Sequence, residues 1–157
     1  MAFNRILIAN RGEIAIRLAR AIADCDATSV AVYAEDDAQS LHVRSADQAI
    51  ALQGQGVAAY LDAAQLIRIA KEQNCDAIHP GYGFLSENAD FARACEQAGI
   101  TFIGPAPEVL DTFGDKASAR RLAQQQGVPL TQGTNEPTTL EQARDFMQSL
   151  GDGAAVM

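Results

Sequence analysis

The segment of this sequence best suited to bind a ligand is residues 79–88, HPGYGFLSEN. Gly81 and Gly83 allow the backbone to bend sharply, which would expose the Tyr82 ring and the N–H groups beside it. Ser86 is predicted to cap the helix that follows, and a helix N-terminus adds further N–H donors. The alternative is a glycine-rich turn in which Tyr82 and Phe84 pack as core aromatics.

The pair Asp115-Lys116 is a second candidate for ligand binding. If Asp115 caps a helix, Lys116 lies in the first turn, where a cation is unfavourable by about 0.3–1 kcal/mol because it opposes the helix dipole. A lysine at that position is a candidate for binding an anion such as a nucleotide phosphate. The alternative is a surface ion pair of Lys116 with Asp111 or Asp115.

The turn after the first predicted strand contains a single glycine, Gly12, where a dinucleotide-binding fold has G-x-G-x-x-G. Its neighbours Arg11 and Glu13 are interpreted as a local ion pair that shapes the turn. Glu35 follows Gly12 at a sequence separation similar to that of the ribose-binding carboxylate in such folds. Without the other glycines we interpret Glu35 as a solvated strand end.

A polar stripe on the first predicted helix is formed by Arg17, Arg20 and Asp24 at positions i, i+3 and i+7. It is either a solvated face or a symmetric ion-pair patch at a dimer contact. His42 and His79 lack companions at metal-ligand spacing, so no metal site is predicted.

Strands and helices alternate along the first two thirds of the chain. Short apolar runs predict strands at 6–9, 29–33, 49–52, 76–79 and 100–103, and helical spacing predicts helices at 13–25, 62–73 and 86–98. This alternation predicts a doubly wound, mostly parallel α/β sheet. In such a sheet ligands gather at the carboxyl ends of the strands, where the Arg11 turn and the 79–88 segment are expected to lie.

The pattern changes after Gly104. A short helix is predicted to end at Gly114, a second to run from the Asp115 cap to Gly127, and a third to follow a capping box at 138–141. Residues 154–157 are apolar and are expected to begin a strand that has no partner, which indicates either a piece of a longer chain or disordered last residues. We predict one domain at 1–113 and the truncated start of another at 114–157.

Composition excludes several classes of function. Of 157 residues, 48% are hydrophobic, which is enough for a folded core. The net charge of −8 and the lack of a basic stretch argue against nucleic-acid or anionic-membrane surfaces. No apolar run is long enough to span a membrane, and no signal peptide is predicted. Cys25, Cys75 and Cys95 are interpreted as reduced, mostly buried thiols of a cytoplasmic protein.

Four motifs occur in an order that resembles the N-terminal part of biotin carboxylase: IANRGEIA at 8–15, HPGYGFLSEN at 79–88, FIGP at 102–105 and GDK at 114–116. The resemblance covers the whole chain, and the ten-residue motif is highly specific. It implies a Rossmann-like topology that precedes an ATP-grasp domain. It also implies a ligase that uses bicarbonate, ATP and Mg²⁺ or Mn²⁺, through carboxyphosphate, to carboxylate biotin on its carrier.

The resemblance assigns roles to residues of this chain. Lys116 matches a nucleotide-binding lysine, and Tyr82 and Gly83 match residues on the biotin side of the cleft. The turn-shaping residues near that cleft are Arg11, Gly12, Glu13, His79 and Glu87. The dimer contact of bacterial biotin carboxylases matches Arg17, Arg20 and Asp24, although a glutamate is common where Asp24 stands. The implied partners are a biotin carboxyl carrier, a carboxyltransferase and a second biotin carboxylase subunit.

In the family, the glycine-rich phosphate loop, a further ATP-binding lysine, the metal-binding glutamates, the catalytic base and the biotin-orienting arginine all lie beyond the position of Met157. The 157-residue chain alone is therefore predicted to be inactive. The alternatives are half of another ATP-grasp ligase such as a carbamoyl-phosphate synthetase, a nicotinamide-binding module, and a non-catalytic interaction domain that uses the polar stripe.

Overall fold

A computed structural model describes residues 3–133 and 138–151. It divides the chain into two compact units, Met1–Gly114 and Asp115–Met157.

The first unit contains a five-stranded parallel sheet in the order β3-β2-β1-β4-β5. The strands are β1 (Arg5–Ile8), β2 (Thr28–Tyr33), β3 (Gln48–Ala51), β4 (Ala77–His79) and β5 (Thr101–Phe102). From β1 the chain winds outward through β2 and β3, and then returns to the other side of β1 for β4 and β5. The predicted doubly wound α/β class is confirmed.

Eight α-helices are found in the described residues. Those of the first unit are α1 (Gly12–Asp24), α2 (Leu41–Ser45), α3 (Gly56–Tyr60), α4 (Ala63–Glu72), α5 (Ala89–Gln97) and α6 (Pro107–Gly114). A 3₁₀ turn at Glu35–Asp37 follows β2. The sequence did not predict α2, α3 or this turn, because one turn of helix is too short to show a periodic apolar face.

The central strand supplies side chains to both faces of the sheet. Successive residues of a strand point to opposite faces, and accordingly Leu7 belongs to one buried cluster and Ile8 to the other. The larger cluster also contains Tyr60, Leu66 and Phe91, and the smaller one contains residues of α1. Burial on both faces explains why Ile6, Leu7 and Ile8 of β1 form a continuous apolar run.

Helix α5 begins two residues later than predicted. Its N-cap is Asn88, whose Oδ1 accepts a hydrogen bond from the Phe91 N–H at 2.8 Å. The predicted cap, Ser86, lies in a turn closed by its own N–H, which donates to the Gly83 carbonyl at 2.9 Å. Because Ser86 takes part in this turn, the helix begins only after it. Gly99 follows the C-cap of α5 with φ +74°, as expected of a terminating glycine.

The second unit contains α7 (Lys116–Gln125) and α8 (Leu140–Ser149). Asp115 caps α7, as predicted, and accepts from the Ser118 N–H at 2.7 Å. Helix α8 has a capping box formed by Thr139 and Gln142, one residue beyond the predicted 138–141. The predicted strand at 154–157 lies outside the described residues.

Candidate functional site

The motifs at 8–15 and 79–88 meet at the point where the strand order reverses. Strands β1 and β4 are neighbours in the sheet, although most of the first unit separates them in sequence, and Ile8 is in register with His79. Just beyond the strands, the Ala9 N–H donates to the His79 carbonyl at 2.9 Å. In open α/β sheets this reversal opens a crevice at the carboxyl ends, where ligands bind.

Asn10 joins the two loops at this crevice. Its side chain is buried, with 1% of the residue exposed. The Asn10 Nδ2 donates to the carbonyls of Pro80 at 2.7 Å and Tyr82 at 3.0 Å, and its Oδ1 accepts from the Arg11 N–H at 2.9 Å. No role for Asn10 was predicted from the sequence. The available signal was an asparagine directly after a buried strand, where its side chain can bond to backbone groups.

Gly81 allows the two loops to approach each other. Its φ is +68°, and a Cβ at this position would lie 2.7 Å from Cγ2 of Ile14 and 2.8 Å from Nδ2 of Asn10. The Gly81 N–H donates to Nδ1 of His79 at 3.0 Å, so that nitrogen is unprotonated. Burial lowers the pKa of His79, which favours the same neutral ring.

Tyr82 projects from the bend, and 60% of the residue is exposed. Its hydroxyl donates to the carboxylate of Glu13 at the start of α1, and this hydrogen bond raises the pKa of Tyr82. Gly83 has φ +69° and is also exposed. Phe84 instead is half-buried against the larger core cluster. The two aromatic residues of the motif are thus divided between the surface and the core.

The predicted ion pair between Arg11 and Glu13 is wrong, because Arg11 pairs with Asp37. Arg11 Nε lies 2.9 Å from Oδ2 of Asp37, and Nη2 lies 2.9 Å from Oδ1. Asp37 is buried at the end of the 3₁₀ turn and needs a charged partner, whereas Glu13 is exposed and accepts from Tyr82. Glu35 is exposed, as expected for a solvated strand end.

The Asp37 carboxylate is the centre of a buried polar cluster. It also accepts from the Tyr60 hydroxyl at 2.8 Å and from the Ser40 hydroxyl at 2.9 Å. Burial raises the pKa of Asp37, but the hydrogen bonds from Tyr60 and Ser40 and the charge of Arg11 outweigh it, so the net shift is downward. This cluster was not predicted from the sequence, because its members come from separate short elements that carry no shared motif.

Buried His42 makes folding stability sensitive to mild acid. His42 is 1% exposed; its Nε2 lies 3.2 Å from the Val32 carbonyl, and its Nδ1 has no partner in the described residues. Burial lowers its pKa below the ordinary 6.5. The unfolded chain therefore takes up the proton first, and stability is expected to fall as the pH drops below 6.5.

Urea unfolding of the chain at a series of pH values from neutral to mildly acidic measures this dependence. The His42→Leu variant is expected to lose less stability than the wild type over that range. Any pH dependence of the unfolding free energy that remains in this variant is assigned to His79, whose pKa is also lowered by burial. If the unfolding free energy of the wild type and of His42→Leu fell equally with pH, the prediction would be contradicted.

Most of the other predicted residues lie on exposed surface, and Gly12 is half-buried. Gly12 begins α1 with φ +60°, and Glu87 is exposed in the bend before α5. A hollow of about 500 Å³ on α1 is lined by Glu13, Ile16, Arg17, Arg20, Ala21 and Asp24. Within the described residues, Arg17, Arg20 and Asp24 form no ion pair with one another.

Lys116 belongs to the second unit and is exposed in the first turn of α7. Asp115 is occupied as the cap of this helix. In the first unit, Asp111 pairs with Arg93 at 2.9 Å. Both carboxylates named as alternative partners of Lys116 are therefore engaged elsewhere.

The cysteines are unpaired. Burial raises the pKa of Cys75 to about 11 and that of Cys95 to about 12, whereas Cys25 is exposed. Across residues 3–133 and 138–151 there is no group of three or more potential metal ligands. The same ranges contain no helix long and apolar enough to cross a membrane.

Comparison with known proteins identifies the family. Residues 2–110 match the model of the biotin carboxylase N-terminal domain. The chain is 52% identical over 153 residues to pyruvate carboxylase 1 of Caenorhabditis elegans, with 95% of this chain and 13% of that protein aligned. It thus spans a small part of the length of this relative.

Solved structures agree with this match. The biotin carboxylase domain of a single-chain bacterial carboxylase has a TM-score of 0.87 and 62% identity, covering 94% of this chain and 34% of that one. A second match is the biotin carboxylase domain of the Hydrogenobacter thermophilus 2-oxoglutarate carboxylase, solved as a dimer with MgADP, ADP and bicarbonate. It has a TM-score of 0.88 and 40% identity, and the alignment covers 96% of this chain and 34% of that chain. The chain belongs to the biotin carboxylase N-terminal domain family.

Proposed function

We propose that this chain is part of the biotin carboxylase component of a biotin-dependent carboxylase. The parent protein uses ATP and bicarbonate to carboxylate biotin on its carrier. Family membership supports this proposal, and the observation that carries it is the exposed Tyr82 at the strand-order reversal. The MgADP and bicarbonate in the Hydrogenobacter thermophilus structure support ATP and Mg²⁺ as cosubstrate and metal of the parent.

Tyr82 and Gly83 form one wall of the cleft, on the biotin side. The exposed ring of Tyr82 offers an apolar surface to a small bicyclic ligand, and the hydrogen bond to Glu13 fixes the orientation of that ring. Arg11, Gly12 and His79 shape the loops that carry this wall. Glu87 belongs to the same bend.

Lys116 contributes a cation to the nucleotide phosphates, which suits its exposed position in the first turn of α7. The described residues provide no cluster of metal ligands, so we assign Mg²⁺ to residues elsewhere in the parent. Phosphoryl transfer needs metal ions and clamped phosphates, and this chain alone is therefore expected to be inactive. We assign 1–113 to the Rossmann-like domain and 114–157 to the start of the ATP-grasp domain.

The partners follow from the same proposal. A biotin carboxyl carrier delivers biotin to the Tyr82 cleft, and a carboxyltransferase selects the final acceptor. The parent forms a homodimer through Arg17, Arg20 and Asp24, whose side chains are exposed and available on α1. We place it in the cytoplasm, because three unpaired cysteines suit a reducing compartment.

The Tyr82→Ala variant of the full-length parent tests the assignment of the cleft. We expect KM for free biotin to rise about fivefold, since an aromatic contact contributes about 1 kcal/mol to binding. The KM for ATP is expected to stay within about twofold, because Tyr82 does not touch the nucleotide in this proposal. The assay is bicarbonate-dependent ATP hydrolysis in the presence of biotin.

Phe113→Ala is the matched control, since Phe113 is also an exposed aromatic residue, 59% exposed on α6. It should leave both KM values unchanged. An unchanged biotin KM in Tyr82→Ala would contradict the assignment of the cleft, and ATP hydrolysis by residues 1–157 alone would contradict the predicted inactivity.

A further inference from the structure

We propose that Tyr60 and Phe84 are positioning residues. They hold the bend within residues 79–88 that carries Tyr82, the Tyr82 loop, in its binding conformation. The sequence assigned no role in the site to either residue, although Phe84 belongs to the 79–88 segment. Tyr60 lies on α3, outside both loops of the crevice. The inference rests on the proposed function, because the position of Tyr82 matters for activity only if the cleft binds the substrate.

Phe84 has an unusual backbone that needs external support. Its φ is +44°, in the left-handed region that bulky residues rarely adopt. Such a conformation persists only where the surrounding structure holds it. Phe84 follows Gly83 directly, so the contacts that fix Phe84 also set the direction in which the chain leaves Tyr82.

The contact that holds Phe84 is a stacked pair with Tyr60. The two ring centroids are 5.5 Å apart, and the ring planes differ by 14°. Tyr60 is fully buried, and both functions of its hydroxyl are used: it accepts from the Ala34 N–H at 3.0 Å and donates to Asp37 at 2.8 Å. The Tyr60 ring therefore cannot turn away from Phe84 without breaking buried hydrogen bonds.

The same tyrosine supports the second loop of the crevice. Through Asp37 it is connected to Arg11, whose guanidinium lies 5.8 Å from the centroid of the Tyr60 ring. Arg11 is adjacent to Asn10, which donates to the Tyr82 carbonyl at 3.0 Å. The Tyr82 loop is thus fixed from one side by Asn10 and from the other by Phe84, and Tyr60 connects the two supports.

The test uses the full-length parent with Phe84→Leu, which keeps an apolar side chain and removes the ring stack. We expect amide hydrogen exchange at Ser86 and Asn88 to become about tenfold faster, because their N–H groups close the turns next to Phe84. We expect KM for free biotin to rise about fivefold, while KM for ATP stays within about twofold. Phe84→Tyr restores an aromatic ring and should return both quantities to the wild-type values.

Phe102→Leu is the control for a general loss of stability. It removes the edge-to-face contact between Phe91 and Phe102 in the core, whose ring centroids are 5.9 Å apart. This variant should lower the melting temperature without changing the exchange of Ser86 and Asn88 or the biotin KM. A Phe84→Leu variant that behaves like this control would overturn the inference.

The two readouts separate this inference from the proposed function. Faster exchange with a raised biotin KM supports the positioning role. Unchanged exchange overturns it, whatever the kinetics show. Faster exchange with an unchanged biotin KM shows that the loop is held by Phe84 but does not serve biotin, which overturns the positioning role together with the assignment of the cleft.

Discussion

Gly81→Ala is expected to lower the free energy of unfolding by about 3 kcal/mol, the sum of a left-handed backbone cost and an overpacking cost. The added Cβ would lie 2.7 Å from Cγ2 of Ile14 and 2.8 Å from Nδ2 of Asn10. Asn10 cannot move aside cheaply, because that nitrogen donates to the carbonyls of Pro80 and Tyr82. Urea unfolding of the chain at neutral pH measures the effect.

Gly83→Ala is the matched control for Gly81→Ala. Gly83 has nearly the same backbone conformation, φ +69°, but a Cβ there would meet nothing within 4 Å. Only the backbone cost of about 1 kcal/mol is expected for this variant. Equal losses in the two variants would show that the contact between the loops is not as tight as the structure indicates.

Asp37→Ala is expected to destabilise the chain by about 3 kcal/mol, because it removes the acceptor of several buried hydrogen bonds. The Tyr60 hydroxyl loses its acceptor in a buried position, and Arg11 loses its counter-ion. The side chain of Arg11 is 41% exposed, so water compensates part of its lost interaction. This places the expected loss at the lower end of the range for broken buried pairs.

Asp36→Ala is the control, because Asp36 is the adjacent aspartate and is exposed. It accepts from the Gly56 N–H at 2.9 Å, and its loss is expected to cost about 0.5–1 kcal/mol. The pKa of Asp37 is lowered in the folded state, so its contribution is present above pH 3.8 and lost in stronger acid. The difference between wild type and Asp37→Ala should therefore narrow as the pH falls below that value. A difference independent of pH would contradict the role of the ionised carboxylate.

Much of the fold could be predicted from local pattern. The five strands and the helices α1, α4 and α5 each carry a periodic or continuous apolar signal, because each packs apolar side chains in the core clusters. The caps at Asp115 and Gly99 were also local signals. The errors arose at short elements and at boundaries, such as the start of α5, where a competing turn uses Ser86.

The sequence by itself determined the family, the alternation of strands and helices, and the two loops that lie at the carboxyl ends of β1 and β4. These properties depend on residues that are close together in the chain. Only the tertiary structure decided that Arg11 pairs with buried Asp37, that Asn10 joins the loops, and that Phe84 stacks on Tyr60. The physical reason is that parallel strands bring distant segments to the same edge of the sheet, and a partner is then chosen by burial and geometry rather than by separation along the chain.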